Sequence, residues 1–157
     1  MRARQLLAMV VAVSATACGR PESPQASDAQ PVEVGRAPAQ RPAGTAVPDS
    51  AGVVGEWRIA GIGGKATDQP FAITASILPN EIHAFSQCVR WRWRAQIRDG
   101  ETKLTPLPLA EPPCARARTG EETAFERAMN EARYAVRRGD GSLVLAGPAG
   151  EIILFTQ

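Results

Sequence analysis

The 157-residue chain carries one histidine and three cysteines, and no two cysteines stand as Cys-x-x-Cys. A structural zinc site takes four nitrogen or sulfur ligands, so no metal site is expected, and no motif asks for a cofactor. No apolar run reaches the roughly 20 residues that a membrane-crossing helix needs. No Gly-x-Ser-x-Gly is present, so the strand-to-helix elbow of an α/β-hydrolase nucleophile is missing. Gly61-Ile62-Gly63-Gly64-Lys65 invites comparison with a phosphate loop. It lacks P-loop spacing and no helix signal follows it, so it reads as a hairpin turn. A strong charge of one sign is also missing. The formal net charge is +2, and it falls to about zero once Arg2 and Arg4 are removed with a leader. A near-neutral chain gives no basis for nucleic-acid binding.

What is present begins at the N-terminus. Arg2 and Arg4 precede an apolar run over 6–13, and Ser14-Ala15-Thr16-Ala17-Cys18 follows. A basic start, a short apolar stretch and small residues before a cut site make a secretory signal peptide. Ala17-Cys18 and the small residues before it resemble the lipobox of bacterial lipoproteins, with Ala15 where leucine is commoner. The resemblance implies removal of residues 1–17 and acylation of Cys18, so that the protein is anchored to a membrane without spanning it. Gly19 in place of Asp resembles outer-membrane sorting. The expected location is the periplasmic face of the cell envelope.

Residues 18–52 are rich in Pro, Ala, Gln, Ser, Asp and Gly and contain no aromatic residue. Such a segment buries too little surface to offset its ordering entropy, and it is expected to be a disordered tether. Every Trp, Phe and Tyr lies after residue 56. The folded domain is therefore expected over 53–157, within the usual size of one domain.

Strands are expected at 56–60, 71–77, 82–87 and 89–97. The last has the clearest pattern: Val89, Trp91, Trp93, Ala95 and Ile97 point one way, and Arg90, Arg92, Arg94 and Gln96 the other. Asp99-Gly100 is a hairpin turn signal, and 103–109, with Pro106 and Pro108, reads as an extended edge. Thr119 with Glu122 forms a capping box, and Phe125, Ala128, Met129 and Ala132 continue it at helical spacing. Strands at 142–145 and 151–155 close the chain. This order predicts an α+β fold, a small antiparallel sheet packed against one main helix.

Gly55-Glu56-Trp57, Cys88, Cys114, Glu122 with Phe125, Tyr134 and the two closing strands resemble the META domain (HslJ-like) family of bacterial envelope proteins. Gln87 and Val89 stand in place of the glycine and asparagine that flank the family's first cysteine, and Pro112-Pro113 precede the second. The resemblance implies a small envelope domain associated with stress tolerance or secretion, without an established catalytic mechanism.

With Cys18 used by the lipid, Cys88 and Cys114 remain as an even pair in an oxidising compartment, where disulfides persist. A Cys88–Cys114 bridge is expected, with two buried thiols as the alternative. His83, Ser86 and Cys88 are close in sequence, but a nucleophile, its base and an orienting carboxylate must reach one another. In a strand, His83 shares a face with Phe85, and Ser86 points away. No catalytic residue is assigned. Arg90, Arg92 and Arg94 are the candidate binding residues, because guanidinium groups suit carboxylates and phosphates. An anionic lipid, a glycan or an acidic protein would fit them. The alternatives are a solvated face, protection of a sheet edge or pairing with acids of a neighbouring strand. Together these features predict a non-enzymatic, lipid-anchored envelope protein that supports stress tolerance through binding or structure. The alternative is a periplasmic module that captures or inhibits a specific protein or glycan.

Overall fold

The computed structural model describes residues 40–67, 72–109 and 114–157. The signal peptide, Cys18, most of the tether and Phe71 lie outside the described residues. The described elements are β1 (Thr45–Ala46), a 3-10 turn (Ser50–Val53), β2 (Gly55–Ile62), β3 (Lys65–Ala66), β4 (Thr74–Ile77), β5 (Glu81–Ser86), β6 (Val89–Arg98), β7 (Glu101–Pro106), α1 (Gly120–Asn130), β8 (Tyr134–Arg137), β9 (Leu143–Gly147) and β10 (Gly150–Thr156).

Strands β2, β4, β5, β6, β7, β8, β9 and β10 are each antiparallel to the next. β10 then returns to β2, from Ile152 opposite Ile62 to Thr156 opposite Trp57. The result is a closed eight-stranded antiparallel barrel. β1 lies beside β8, and β3 beside β2.

The expected α+β fold is therefore corrected to a mostly β architecture. Alternation of apolar and polar residues says which side of a strand is buried, but an open sheet and a closed barrel share that pattern. Here the inner face is buried against itself, and the helix covers an end of the barrel, not a face. Residues 103–106 pair along one side, with Lys103 opposite Gln96 of β6, while β7 meets β8 only at Glu101 opposite Tyr134, so this stretch keeps the expected edge character within the barrel. The prolines are tolerated because Pro106 is its last residue, and beyond it the Leu107 amide still donates to the Arg92 carbonyl at 2.9 Å.

The two hairpins around β6 set its register. Asp99 and Gly100 both take positive φ, 51° and 79°, as a two-residue type I′ turn requires. Gln87 takes φ of 54°, a position at which such turns favour Gly, Asn or Asp. It places Ser86 opposite Val89 and Glu81 opposite Arg94.

Inward side chains fill the barrel. Trp57, Ile59, Ile73, Ile77, Ile82, Trp93, Leu145 and Leu154 are each at most 2% exposed. Helix α1 contributes Phe125, which meets the rings of Trp91 and Trp93 edge-on at 5.2 and 5.9 Å. The start of α1 is held at the β5–β6 turn and its end against β9, whose strand pair lies across the barrel. The helix is thus a bar across one mouth. At the other mouth the segment before β2 runs underneath. Val47 bonds to Ala135 and Gly100, and the Trp57 indole donates to the Val53 carbonyl at 2.9 Å. The folded unit consequently starts before Val53, the boundary expected from composition: β1 and the 3-10 turn belong to it.

Candidate anion-docking face

With the interior packed and both mouths covered, chemistry falls to the outer surface. The alternation of β6 places Arg90, Arg92 and Arg94 on that surface and buries Trp91 and Trp93. β6 is paired with β5 over Val89–Arg94 and with β7 only from Trp93 to Arg98, so at Arg94, flanked on both sides, protection of a sheet edge is not the role. Pairing with a neighbouring acid holds for Arg92. Arg92 Nη2 donates to Glu81 Oε2 at 2.9 Å, and His83 Nε2 lies 2.7 Å from the same oxygen. The Arg92 hydrogen bond, and after it that of His83, hold the Glu81 carboxyl down at about 2. Glu81 therefore stays ionised and partly offsets the stripe. Arg94 is exposed, opposite Glu81 on one side and Thr105 on the other.

One register row away, the outer face becomes apolar. Phe85 stands opposite Arg90 and is 44% exposed. The strap after β7 brings Leu109, 40% exposed, to the other side of β6. Between them lies a concavity of about 340 Å³, lined by Ser76, His83, Phe85, Arg90, Arg92 and Leu109 among others. Behind the strap, Arg118 sits over the Trp91 ring at 5.8 Å and pairs with Glu126 on α1.

The cysteine pair is formed. Cys88 and Cys114 are joined by a disulfide, with Cα atoms 5.4 Å apart. It ties the β5–β6 turn to the segment before α1. A second tie lies beside it. Arg116 grips Glu122 with both terminal nitrogens, at 2.8 and 2.6 Å, and reaches the Ser86 carbonyl at 3.3 Å. Glu122 completes the expected capping box: its carboxylate accepts from the Thr119 amide at 2.8 Å, and the Thr119 hydroxyl accepts from the Glu122 amide at 3.1 Å. The Arg116 guanidinium, helped by that amide, keeps the Glu122 carboxyl at about 2 although the side chain is fully buried.

His83 and Ser86 are not brought together. His83 faces outward beside Glu81, and Ser86 is buried within the barrel. Among the described residues, no three His, Cys, Asp or Glu side chains gather as a metal site, and no helix is long and apolar enough to cross a membrane. Sequence reasoning missed Glu81, Phe85 and Leu109 as members of this face. The signal was in the hairpin: a two-residue turn at Gln87-Cys88 makes opposed residues sum to one number, which puts Phe85 against Arg90.

No family profile matches the chain, and no curated protein does. A solved NMR structure of a protein from Burkholderia xenovorans is similar at 17% identity and a TM-score of 0.47, over 74% of this chain and 94% of that one. At that level nothing about function carries over.

Proposed function

We propose that this is a lipid-anchored, non-enzymatic protein of the bacterial cell envelope, similar to the META-domain proteins, whose outer barrel face docks an anionic partner in support of envelope stress tolerance. The observation that carries the reading is the outward row Arg90, Arg92 and Arg94 on a barrel strand whose inner face is closed to ligands. Side chains fill the barrel interior among the described residues, so a partner of this strand would meet its solvent-facing cationic row. The second reading, a periplasmic module that captures one protein or glycan, is favoured by the concavity between Phe85 and Leu109.

The test uses the unacylated chain from residue 18 onward, carrying Cys18→Ser, against polyglutamate, lipopolysaccharide and phosphatidylglycerol vesicles. Replacing Arg90, Arg92 and Arg94 with Gln is expected to weaken binding to at least one of these. Salt should weaken the wild type as well, since exposed charges are screened beyond roughly 8–10 Å at physiological ionic strength. Binding to none of the three probes, or equal binding by the triple variant with an unchanged melting curve, refutes the proposal.

A further inference from the structure

We infer that the cleft between β6 and α1 binds a small organic carboxylate with an apolar body. The proposal goes beyond the anion-docking reading, because it concerns the margin of β6 beside α1 and not the outward row. The pairing of β6 opens the cleft. β7 lies along β6 only from Trp93 to Arg98, and beyond it the Leu107 amide donates to the Arg92 carbonyl at 2.9 Å. Before Arg92, the strand paired with β6 among the described residues is β5 alone. On the other side α1 comes up in place of a strand. A space of about 370 Å³ remains there, bordered by Trp91, Pro106, Leu107, Arg118, Glu126 and Asn130 among others. Small-molecule sites begin at about 300 Å³, so the ligand is small.

Hydrogen bonding selects its chemistry. The chain has three tryptophans. Trp57 donates to the Val53 carbonyl at 2.9 Å, and Trp93 to Asn130 Oδ1 at 2.8 Å. Trp91 is 4% exposed, and its Nε1 is buried without a partner. An indole N–H can only donate, and native structures leave few buried donors unpaired. Asn130 adds a second donor, since Oδ1 serves Trp93 and Nδ2 is left for a ligand. Arg118 adds a third, with its guanidinium over the Trp91 ring at 5.8 Å. Its pair with Glu126 uses one nitrogen, Nη1. Glu126 is the one acid that borders the cleft among the described residues, and Arg118 already engages it. The protein supplies donors here, so the ligand brings the acceptors, and a carboxylate matches a guanidinium. Pro106, Leu107 and the Trp91 ring receive its apolar part.

The experiment follows the Trp91 indole N–H resonance by heteronuclear NMR in the unacylated chain (Cys18→Ser), titrated with hexanoate, hexanol and inorganic phosphate. Hexanoate is expected to shift that resonance saturably. Hexanol and phosphate each lack one half of the ligand and should bind about tenfold more weakly or less, the weight of one charge-assisted hydrogen bond. Arg118→Gln removes the cation. Asn130→Asp keeps an acceptor for Trp93 and places an anion in the cleft. Both positions are exposed, and each change should weaken hexanoate about tenfold or more with an unchanged melting curve. No shift of the Trp91 resonance with hexanoate overturns the proposal. Equal affinity for hexanol overturns it as well, because apolar filling alone would then account for binding. Equal hexanoate affinity in the wild type and both variants removes this cleft as the carboxylate site.

Discussion

Arg116→Met should be the most damaging change available to a partly exposed side chain. Arg116 is 26% exposed, while Glu122 beneath it is fully buried. Met keeps much of the stem and removes the charge, so a buried carboxylate is left without its cation. The Glu122 carboxyl lies at about 2 instead of 4.5. At 1.36 kcal/mol per pH unit, that difference corresponds to about 3 kcal/mol. Breaking a buried pair from one side costs about 3–5 kcal/mol by the same order of reasoning. With a urea slope of about 1.5 kcal/mol/M, the unfolding midpoint at neutral pH should fall by about 2 M. The pH dependence has a definite sign. A depressed folded pKa means stability that is complete above the ordinary carboxylate value and lost as pH falls towards 2. The gap between wild type and variant should be widest at neutral pH, narrow below about 4.5 and close near 2. Arg116→Met combined with Glu122→Leu should recover most of the loss, since no buried charge remains. A neutral-pH gap under about 1 kcal/mol, or the same gap at pH 3 and pH 7, would refute the argument.

The disulfide closes a segment with a separation of 26 residues; replacing Cys88 and Cys114 together with Ser should cost about 3.5 kcal/mol in urea unfolding, and thiol titration of the exported, denatured protein should find neither residue free. Gly147→Ala should lower the melting temperature clearly, by at least about 2 kcal/mol in stability, because a Cβ there would lie 1.9 Å from the Glu131 carbonyl oxygen; an unchanged melt would show that the helix end is not pressed against β9. Cys18→Ala should block acylation and leave the leader uncut or the protein mislocalised. Mass spectrometry of the mature N-terminus decides this, and a free N-terminus at another residue sinks the lipoprotein reading.

Local structure was legible wherever one segment carried its own signal. The alternation of residues 89–97 placed β6 and its outward arginines, and Thr119 with Glu122 placed the start of α1. Asp99-Gly100 placed a turn. Closure was not legible, because it depends on β8, a strand of four residues, Tyr134–Arg137. β8 buries Ala135 on one face and Val136 on the other, so it shows no alternation to read. β9 has the same two-sided burial, with Leu143 and Leu145 in the barrel core and Val144 and Ala146 in a second cluster. It still reads as a strand because an apolar run is itself a strand signal. Of the candidate face, the arginines were visible and their apolar flanks were not. Phe85 and Leu109 look like core residues in sequence; the register opposite Arg90 turns Phe85 outward, and Leu109 lies beyond the end of β7.

The pairing that closes the barrel also fixes when the chain can finish folding. β2 must wait for β10, whose register partners lie nearly a hundred residues later in the chain: Trp57 opposite Thr156. Contacts of such long range slow folding, because a large loop must close before they add stability. Until β10 arrives, β2 and β9 are unsatisfied edges, and an incomplete chain of this kind is exposed to mispairing. Only the last seven-residue strand, by pairing with both β9 and β2, turns an open ribbon into a closed barrel. The hazard lasts only for the interval before the final strand emerges.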